Sequence, residues 1–329
     1  MHRVSTATAM TAAVALLAGG VLVARSIPDA TPRGRSGAAA SPAAEPVLSP
    51  SASPPDSATQ APLPTPRPLA SSAAPDRTGL PAVPRPGEPV AARDAAGLAR
   101  ALKHAAAVLA DPSSTARDVA RQAHVHQVAV RALVNGPQRR DPTYRLLEPA
   151  LRRRVVSEVT AGAQLRAMLK RPKTTLPPWR IVAPAPASTL LGHYRTAARE
   201  FGIGWEHLAA IHLVETRMGR IRGTSSAGAQ GPMQFMPATW RQYGGGGDIH
   251  STRDSIRAAA RYLVASGARR DIGKALFAYN RDRRYVDAVV RYADELRADS
   301  RVYTAYHGWQ VYYVTVAGDV WLPVGYDGS

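Results

Sequence analysis

The sequence predicts a mainly α-helical chain that closes in a β-hairpin and begins behind a disordered linker. Three observations carry this. Between residues 90 and 300 apolar residues recur at helical spacing, as in Leu98, Leu102, Ala105 and Leu109. Beyond Arg301, YHGWQVYYVTVAGDVWLPVGY alternates β-branched and aromatic residues around Ala317-Gly318-Asp319. Before residue 90 proline, alanine and serine dominate, as in SPSASPPDSATQAPLPTPRP. Such a stretch cannot bury enough apolar surface to offset the entropy of ordering it.

The elements follow in order. Met1-His2-Arg3 is a basic lead to an apolar run from Val4 to Ala24, ended by Arg25. This predicts a signal peptide or membrane anchor over 1–26, and hence an exported protein. No small-x-small site follows directly; Ala38-Ala39-Ala40 stands farther downstream. Residues 27–89 form the linker, stiffened by proline into a spacer. Residues 90–171 read as a helical accessory region. Its first helix stops at Asp111-Pro112, and its second runs from Ser114 to Asn135-Gly136-Pro137. A third fills 143–169, with Leu147, Leu151, Val155, Val159 and Leu165 as its inner stripe.

PKTTLPPWRIVAPAP reads as a second, shorter linker over 172–187. A compact helical domain is expected over 188–300. One helix runs from Ser188 to Phe201-Gly202 and another from Trp205 to Met218, stopped by Gly219. Short helices are expected after Gly231-Pro232 and after Pro237. Ser251 and Asp254 have the spacing of a capping box, Asp271 caps the next helix, and Arg283–Leu296 makes the last long one. Residues 301–329 are assigned to the hairpin.

Composition narrows the function classes. The formal net charge is +18, carried almost wholly by arginine. A polyanionic partner accounts for this, and so does the codon usage of a G+C-rich genome. The chain has no cysteine, which excludes disulfides, thiolate metal sites and a lipidated cysteine.

TARDVARQAHVHQVAVRALVN (115–135) has the pattern of a helix-turn-helix, with Ala120, Val125, Val130 and Leu133 at its core positions. His124 stands where the turn needs glycine, and the segment lies behind an export signal. Two amphipathic helices of the accessory region are the better reading, and no nucleic-acid partner is expected. No acid or further histidine is placed to make a metal site with His124 and His126.

The chemistry concentrates after residue 205. Projected at about 100° per residue, Leu208, Ile211, Val214 and Met218 share one arc, and Glu215 lies within it. Glu206 falls on the other side, near Arg217, and is read as facing solvent. A carboxyl brought toward a core or cleft wall has a raised pKa, and a protonated one can act as general acid. A buried glutamate paired with Arg220 or Arg222 fits this geometry equally well.

The residues that follow resemble a known family. E-T-x-x-G-R from Glu215, then S-x-x-G-A-x-G-P-M-Q-F-M-P-x-T-W from Ser225, are similar to the SLT-type lytic transglycosylases of bacterial cell walls. The similarity continues through Tyr243-Gly244, DSIRAAARYL and ALFAYN, over roughly 188–297. The proline in GPMQF and Trp240 look most like actinobacterial members and share features with membrane-bound B-type enzymes. The resemblance implies a lysozyme-like catalytic domain that cleaves peptidoglycan between N-acetylmuramic acid and N-acetylglucosamine, without metal or other cofactor. A hydrolytic muramidase or a non-catalytic glycan-binding protein on the same fold are the alternatives.

By this resemblance Glu215 matches the catalytic acid/base. Ser225, Met233, Gln234, Tyr279 and Asn280 match substrate-binding positions, with Tyr243 and Tyr285 as further cleft residues. Gly228 and Gly231 suit close backbone approach to a sugar. Most glycosidases flank the bond with two carboxylates. Asp248, Asp254 and Asp282 are the nearest here, and each reads as a loop or helix-cap residue. A lone acid fits closure to a 1,6-anhydro sugar, the family's reaction. Thr216 departs from the family's serine after the glutamate, and Gly244–Gly247 replaces a loop often more acidic. Peptidoglycan strands, other cell-wall proteins, and the membrane through the first segment are the expected partners.

Overall fold

The computed structural model describes residues 87–328. The expected signal or anchor over 1–26, and all but the last residues of the expected linker over 27–89, lie outside the described residues. None of the described helices is long and apolar enough to cross a membrane.

The first helix, α1 (Ala95–Ala110), starts where the Asp94 carboxylate accepts the Gly97 N–H at 2.6 Å. Thr115 Oγ1 caps α2 (Ala116–Asn135) by accepting the Asp118 N–H at 3.1 Å. Each side chain satisfies one amide that the first helical turn leaves without a partner. Because α2 runs unbroken through His124, the segment is one helix and neither a helix-turn-helix nor a helix pair.

The helix expected from residue 143 is split. A 3-10 turn (Pro137–Arg139) leads into α3 (Arg140–Arg145), and α4 (Pro149–Ala167) starts afresh. Pro149 forces the break, because its ring holds Glu148 extended, with ψ of 148°. Leu98, Leu102, Val130, Leu133, Val155 and Val159 form the apolar cluster that joins α1, α2 and α4.

The larger core surrounds α6 (Trp205–Thr216), which follows α5 (Ala187–Phe201). Eleven of its twelve residues are buried. The one-sided arc expected from the sequence is therefore corrected, since α6 is covered on every face. Glu206 is buried too, and its carboxylate pairs with Arg297 at 2.7 Å. The cover comes from α5, α8 (Thr252–Ala265) and α10 (Arg283–Ala298). Every third or fourth residue of α10 faces inward, from Tyr285 through Ala288, Val289 and Tyr292 to Leu296.

Two short helices complete this part, α7 (Pro237–Tyr243) and α9 (Ile272–Tyr279). The helix expected after Gly231-Pro232 is instead a series of turns. Ala161 and Leu165 of α4, with Met168 just after it, enter the same core, so the packing runs continuously from the accessory helices into residues 188–300.

The carboxyl-terminal segment differs from expectation at its start. Residues 302–308 are helical, α11 (Val302–Gly308), and the hairpin is confined to two strands. Three of the apolar residues there, Val302, Tyr303 and Tyr306, recur at spacings of one and three, and pack on the large core. In chain order the strands are β1 (Arg180–Ile181), β2 (Ile221–Arg222), β3 (Val311–Thr315) and β4 (Gly318–Leu322). β3 and β4 pair antiparallel from Val311↔Leu322 to Thr315↔Gly318, and β1 pairs with β2. The segment expected to be a linker over 172–187 thus supplies a strand. Its Leu176, Trp179 and Ile181 are buried with Ile221, Val311, Leu322 and Tyr326 in a separate apolar cluster.

Candidate active site

Glu215 lies in the last turn of α6 and is fully buried. Tyr285, at the start of α10, donates a 2.9 Å hydrogen bond to its Oε1. The other oxygen, Oε2, is buried with no protein donor. Burial pushes the carboxyl from its usual value near 4.5 up to about 8, and the Tyr285 bond opposes the rise only in part. No arginine pairs with Glu215 among the described residues. The alternative of an ion pair with Arg220 or Arg222 is not what the fold builds; Arg220 donates instead to the His307 carbonyl at 3.0 Å. Glu215 is accordingly a neutral acid near pH 7.

The chain leaves α6 through three left-handed residues, Arg217 (φ 51°), Met218 (57°) and Gly219 (84°). Two of them carry side chains that disfavour this region, and such strain persists only where surrounding contacts fix it. Here Thr216 does so. Its hydroxyl donates to the Pro232 carbonyl at 2.5 Å and accepts the Gly219 N–H at 3.1 Å. Thr216 therefore clips the loop at residue 232 to the helix end that carries Glu215.

The loop itself is tightly organised. Ser225 Oγ accepts the N–H groups of Ala227 and Ala229, at 3.3 and 3.0 Å. Both acceptor positions of its hydroxyl are filled, so only its proton is left to offer a ligand. Gln230 and Phe235 exchange two backbone hydrogen bonds of 2.9 Å. At Gly231 (φ 73°) a Cβ would stand 2.0 Å from the Ile249 carbonyl oxygen, so no other residue fits. Gln234 adopts φ of 50°; its Nε2 donates to the Gly231 carbonyl at 3.0 Å, while its Oε1 is buried with no protein donor.

Tyr279 and Met233 are both fully buried, and they meet. The Tyr279 hydroxyl donates to the Met233 carbonyl at 2.6 Å, so it bonds the loop rather than the Glu215 carboxyl. Its ring lies parallel to that of Tyr285, with centroids 6.5 Å apart. Asn280 is buried at the end of α9, its N–H bonded to the Leu276 carbonyl. Tyr243 packs edge-on against Tyr262 at 4.9 Å. The three nearest aspartates are all engaged locally. Asp254 accepts the Asp248 N–H, Asp248 accepts the His250 N–H, and Asp282 caps α10 while holding Arg284.

The arrangement is one neutral carboxylic acid on a buried helix, braced by a tyrosine, beneath a loop held by Thr216 and Tyr279. Such an acid can donate its proton and then, as carboxylate, take one up.

Residues 193–301 match the transglycosylase SLT domain.

The match covers about a third of the chain and includes every residue named above as part of the site. No curated protein matches the chain. The SLT segment runs from within α5 to just past α10, so α1 to α4, α11 and both strands of the hairpin lie outside it. Within it, Tyr285 is the residue to which sequence reasoning gave too little weight. It stands 70 positions from Glu215, and only the packing of α10 on α6 joins them. The roles of Thr216 and Arg217 also escaped, because no helical projection describes a chain after its helix has ended.

Two histidines outside the SLT segment, His124 and His126, also find partners. His124 Nε2 shares a 2.8 Å hydrogen bond with the Tyr312 hydroxyl. His126 Nε2 lies 2.6 Å from Glu158, an acid that the sequence did not place beside it. No group of three metal-ligating side chains occurs among the described residues.

Proposed function

We propose that this protein is a lytic transglycosylase that cleaves the β-1,4 bond between N-acetylmuramic acid and N-acetylglucosamine in peptidoglycan. The observation that carries the proposal is Glu215, a fully buried carboxyl raised to about 8 and without a carboxylate partner, within a segment that matches the SLT domain.

Glu215 gives its proton to the glycosidic oxygen as the bond from that oxygen to C1 of the muramic residue breaks. The resulting carboxylate takes the proton of the C6 hydroxyl, and that oxygen closes on C1. The products are a 1,6-anhydro end and a free 4-hydroxyl; no water is consumed and the acid is restored. The substrate's acetamido oxygen assists at the anomeric carbon. The Ser225 hydroxyl proton and the Gln234 Oε1 supply one donor and one acceptor for the sugar, and Asn280 a further polar contact. Tyr279 and Met233 act by holding the loop. Because Glu215 is fully buried, part of the structure around it must move for substrate to reach Oε2.

The proline in GPMQF and Trp240 favour an actinobacterial type with B-type features. We assign the protein to the wall-facing side of the membrane, exported through its first segment, with a basic surface suited to an anionic wall.

Digestion of purified peptidoglycan followed by mass analysis tests the reaction. Fragments lacking one water relative to hydrolytic products are expected, and Glu215→Gln should release them about 10²–10⁴-fold more slowly. Hydrated reducing ends would mean a muramidase, and equal release by both proteins would remove Glu215 from the reaction.

A further inference from the structure

Arg217 is buried to 1 % exposure directly after α6, and its Nε and Nη1 have no acceptor in the protein. Its guanidinium lies over the Trp309 ring, 5.7 Å from the centroid. Both side chains line a cavity of about 30 Å³ with Arg131, Arg166, Gln127 and Tyr292. The indole N–H of Trp309 is likewise buried without an acceptor.

The charges around this cavity do not balance. Three guanidinium groups line it, and one carboxylate, Asp319, stands beside them, accepting from Arg131 at 2.6 Å and Arg166 at 2.8 Å. Glu158, the other buried carboxylate of these helices, meets His126 through Oε2 and does not line the cavity, although its Oε1 is buried without a protein donor. The Gln127 amide is used on both sides by the backbone of Gln310. A buried charge needs a counter-charge or a full set of hydrogen bonds, and Arg217 has neither within the protein.

We propose that this cavity binds a small monovalent anion of the halide class, held by Arg217 and the Trp309 indole N–H. The unpartnered polar atoms of Arg217 and Trp309 are all donors. A water there would bring protons of its own and find no acceptor among them, whereas an anion accepts from every side. The volume suits one or two water-sized particles, which favours a small ion over a sugar. The site joins α2 and α4 to the helix end that carries Glu215, because Arg131 and Arg166 come from those helices and Arg217 follows Thr216. It does not depend on the transglycosylase reading.

Thermal unfolding of the purified full chain in sodium chloride, against sodium gluconate at equal ionic strength, tests the site. Chloride should raise Tm by on the order of 5 °C by about 100 mM, increasing with the logarithm of concentration, and gluconate should not. Trp309→Phe keeps the ring and removes one donor, so its chloride titration should move to roughly tenfold higher concentration. Arg217→Met should lose the chloride response. Should that variant not fold, crystals of the unaltered protein grown in bromide decide the matter, with an anomalous peak expected within hydrogen-bond reach of Arg217 Nε and Trp309 Nε1. Superimposable chloride and gluconate curves for the unaltered protein, or a bromide map without a peak in the cavity, overturn the proposal.

Discussion

The Tyr285 hydroxyl and the Glu215 carboxyl meet at 2.9 Å across the interface of α10 and α6, and this bond is the only one made to the acid by the described protein. A donated hydrogen bond favours the carboxylate form, so it restrains the rise that burial imposes. Tyr285→Phe should therefore raise the pKa of Glu215 further. In a pH profile of peptidoglycan cleavage, the alkaline limb should fall near pH 8 for the unaltered protein and at higher pH for the variant. A limb that stays put would separate Tyr285 from the titration of the acid.

Glu215→Gln bears on catalysis and stability in different ways. Loss of the general acid is expected to lower cleavage by about 10²–10⁴-fold. Stability should move in the opposite direction. The folded pKa is raised, so between about 4.5 and 8 the unfolded chain ionises while the folded one holds its proton, and stability falls as pH rises. The variant escapes this cost. Its stability advantage should grow from pH 4.5 to pH 8 and level off above, reaching a few kcal/mol. Denaturant unfolding across that range checks the sign.

Thr216→Val preserves shape but removes both bonds that clip the loop to α6. The carbonyl of Pro232 and the N–H of Gly219 lose their partner, a loss of about 1–3 kcal/mol. Reduced kcat with a fold that circular dichroism finds unchanged is the expected result, and undiminished kcat would mean that the clip is unnecessary.

Gly231→Ala should be more damaging than an alanine at an exposed loop glycine. Its φ of 73° and the 2.0 Å approach to the Ile249 carbonyl leave no room for a methyl group. Backbone displacement through Gln234 and Met233 should abolish cleavage. Thermal melts and activity measured together would show whether the loop alone, or the whole domain, is affected.

Asp319→Asn tests the arginine pair beside the hairpin. Burial acts to raise the Asp319 pKa, but Arg131 and Arg166 outweigh it and hold the carboxyl down at about 2. The stabilisation is fully present above the ordinary value of 3.8 and is lost as pH falls toward 2. The variant should be about 2–3 kcal/mol less stable at pH 7, with the difference closing in acid. Parallel melts at pH 7 and pH 3 measure it.

The sequence determined what local rules govern. Gly202, Ser251, Asp271 and Asp282 mark real helix ends because a cap depends on residues within one turn. The ordered motifs from Glu215 to Asn280 also stand in the sequence itself, and they drew attention to the acid. The tertiary structure decided what depends on contacts between distant residues. It enclosed α6 on every side, where the helical projection left Glu206 in solvent. It broke the helix at Pro149, turned residues 302–308 into α11, and drew residues 180–181 of the expected linker into a strand. It also chose Tyr285 over Arg220 as the partner of Glu215. Periodicity within one segment reports which face is apolar; it carries no information on what a helix 70 residues away will bring to that face. The acid was legible in the sequence, and its environment came only from packing.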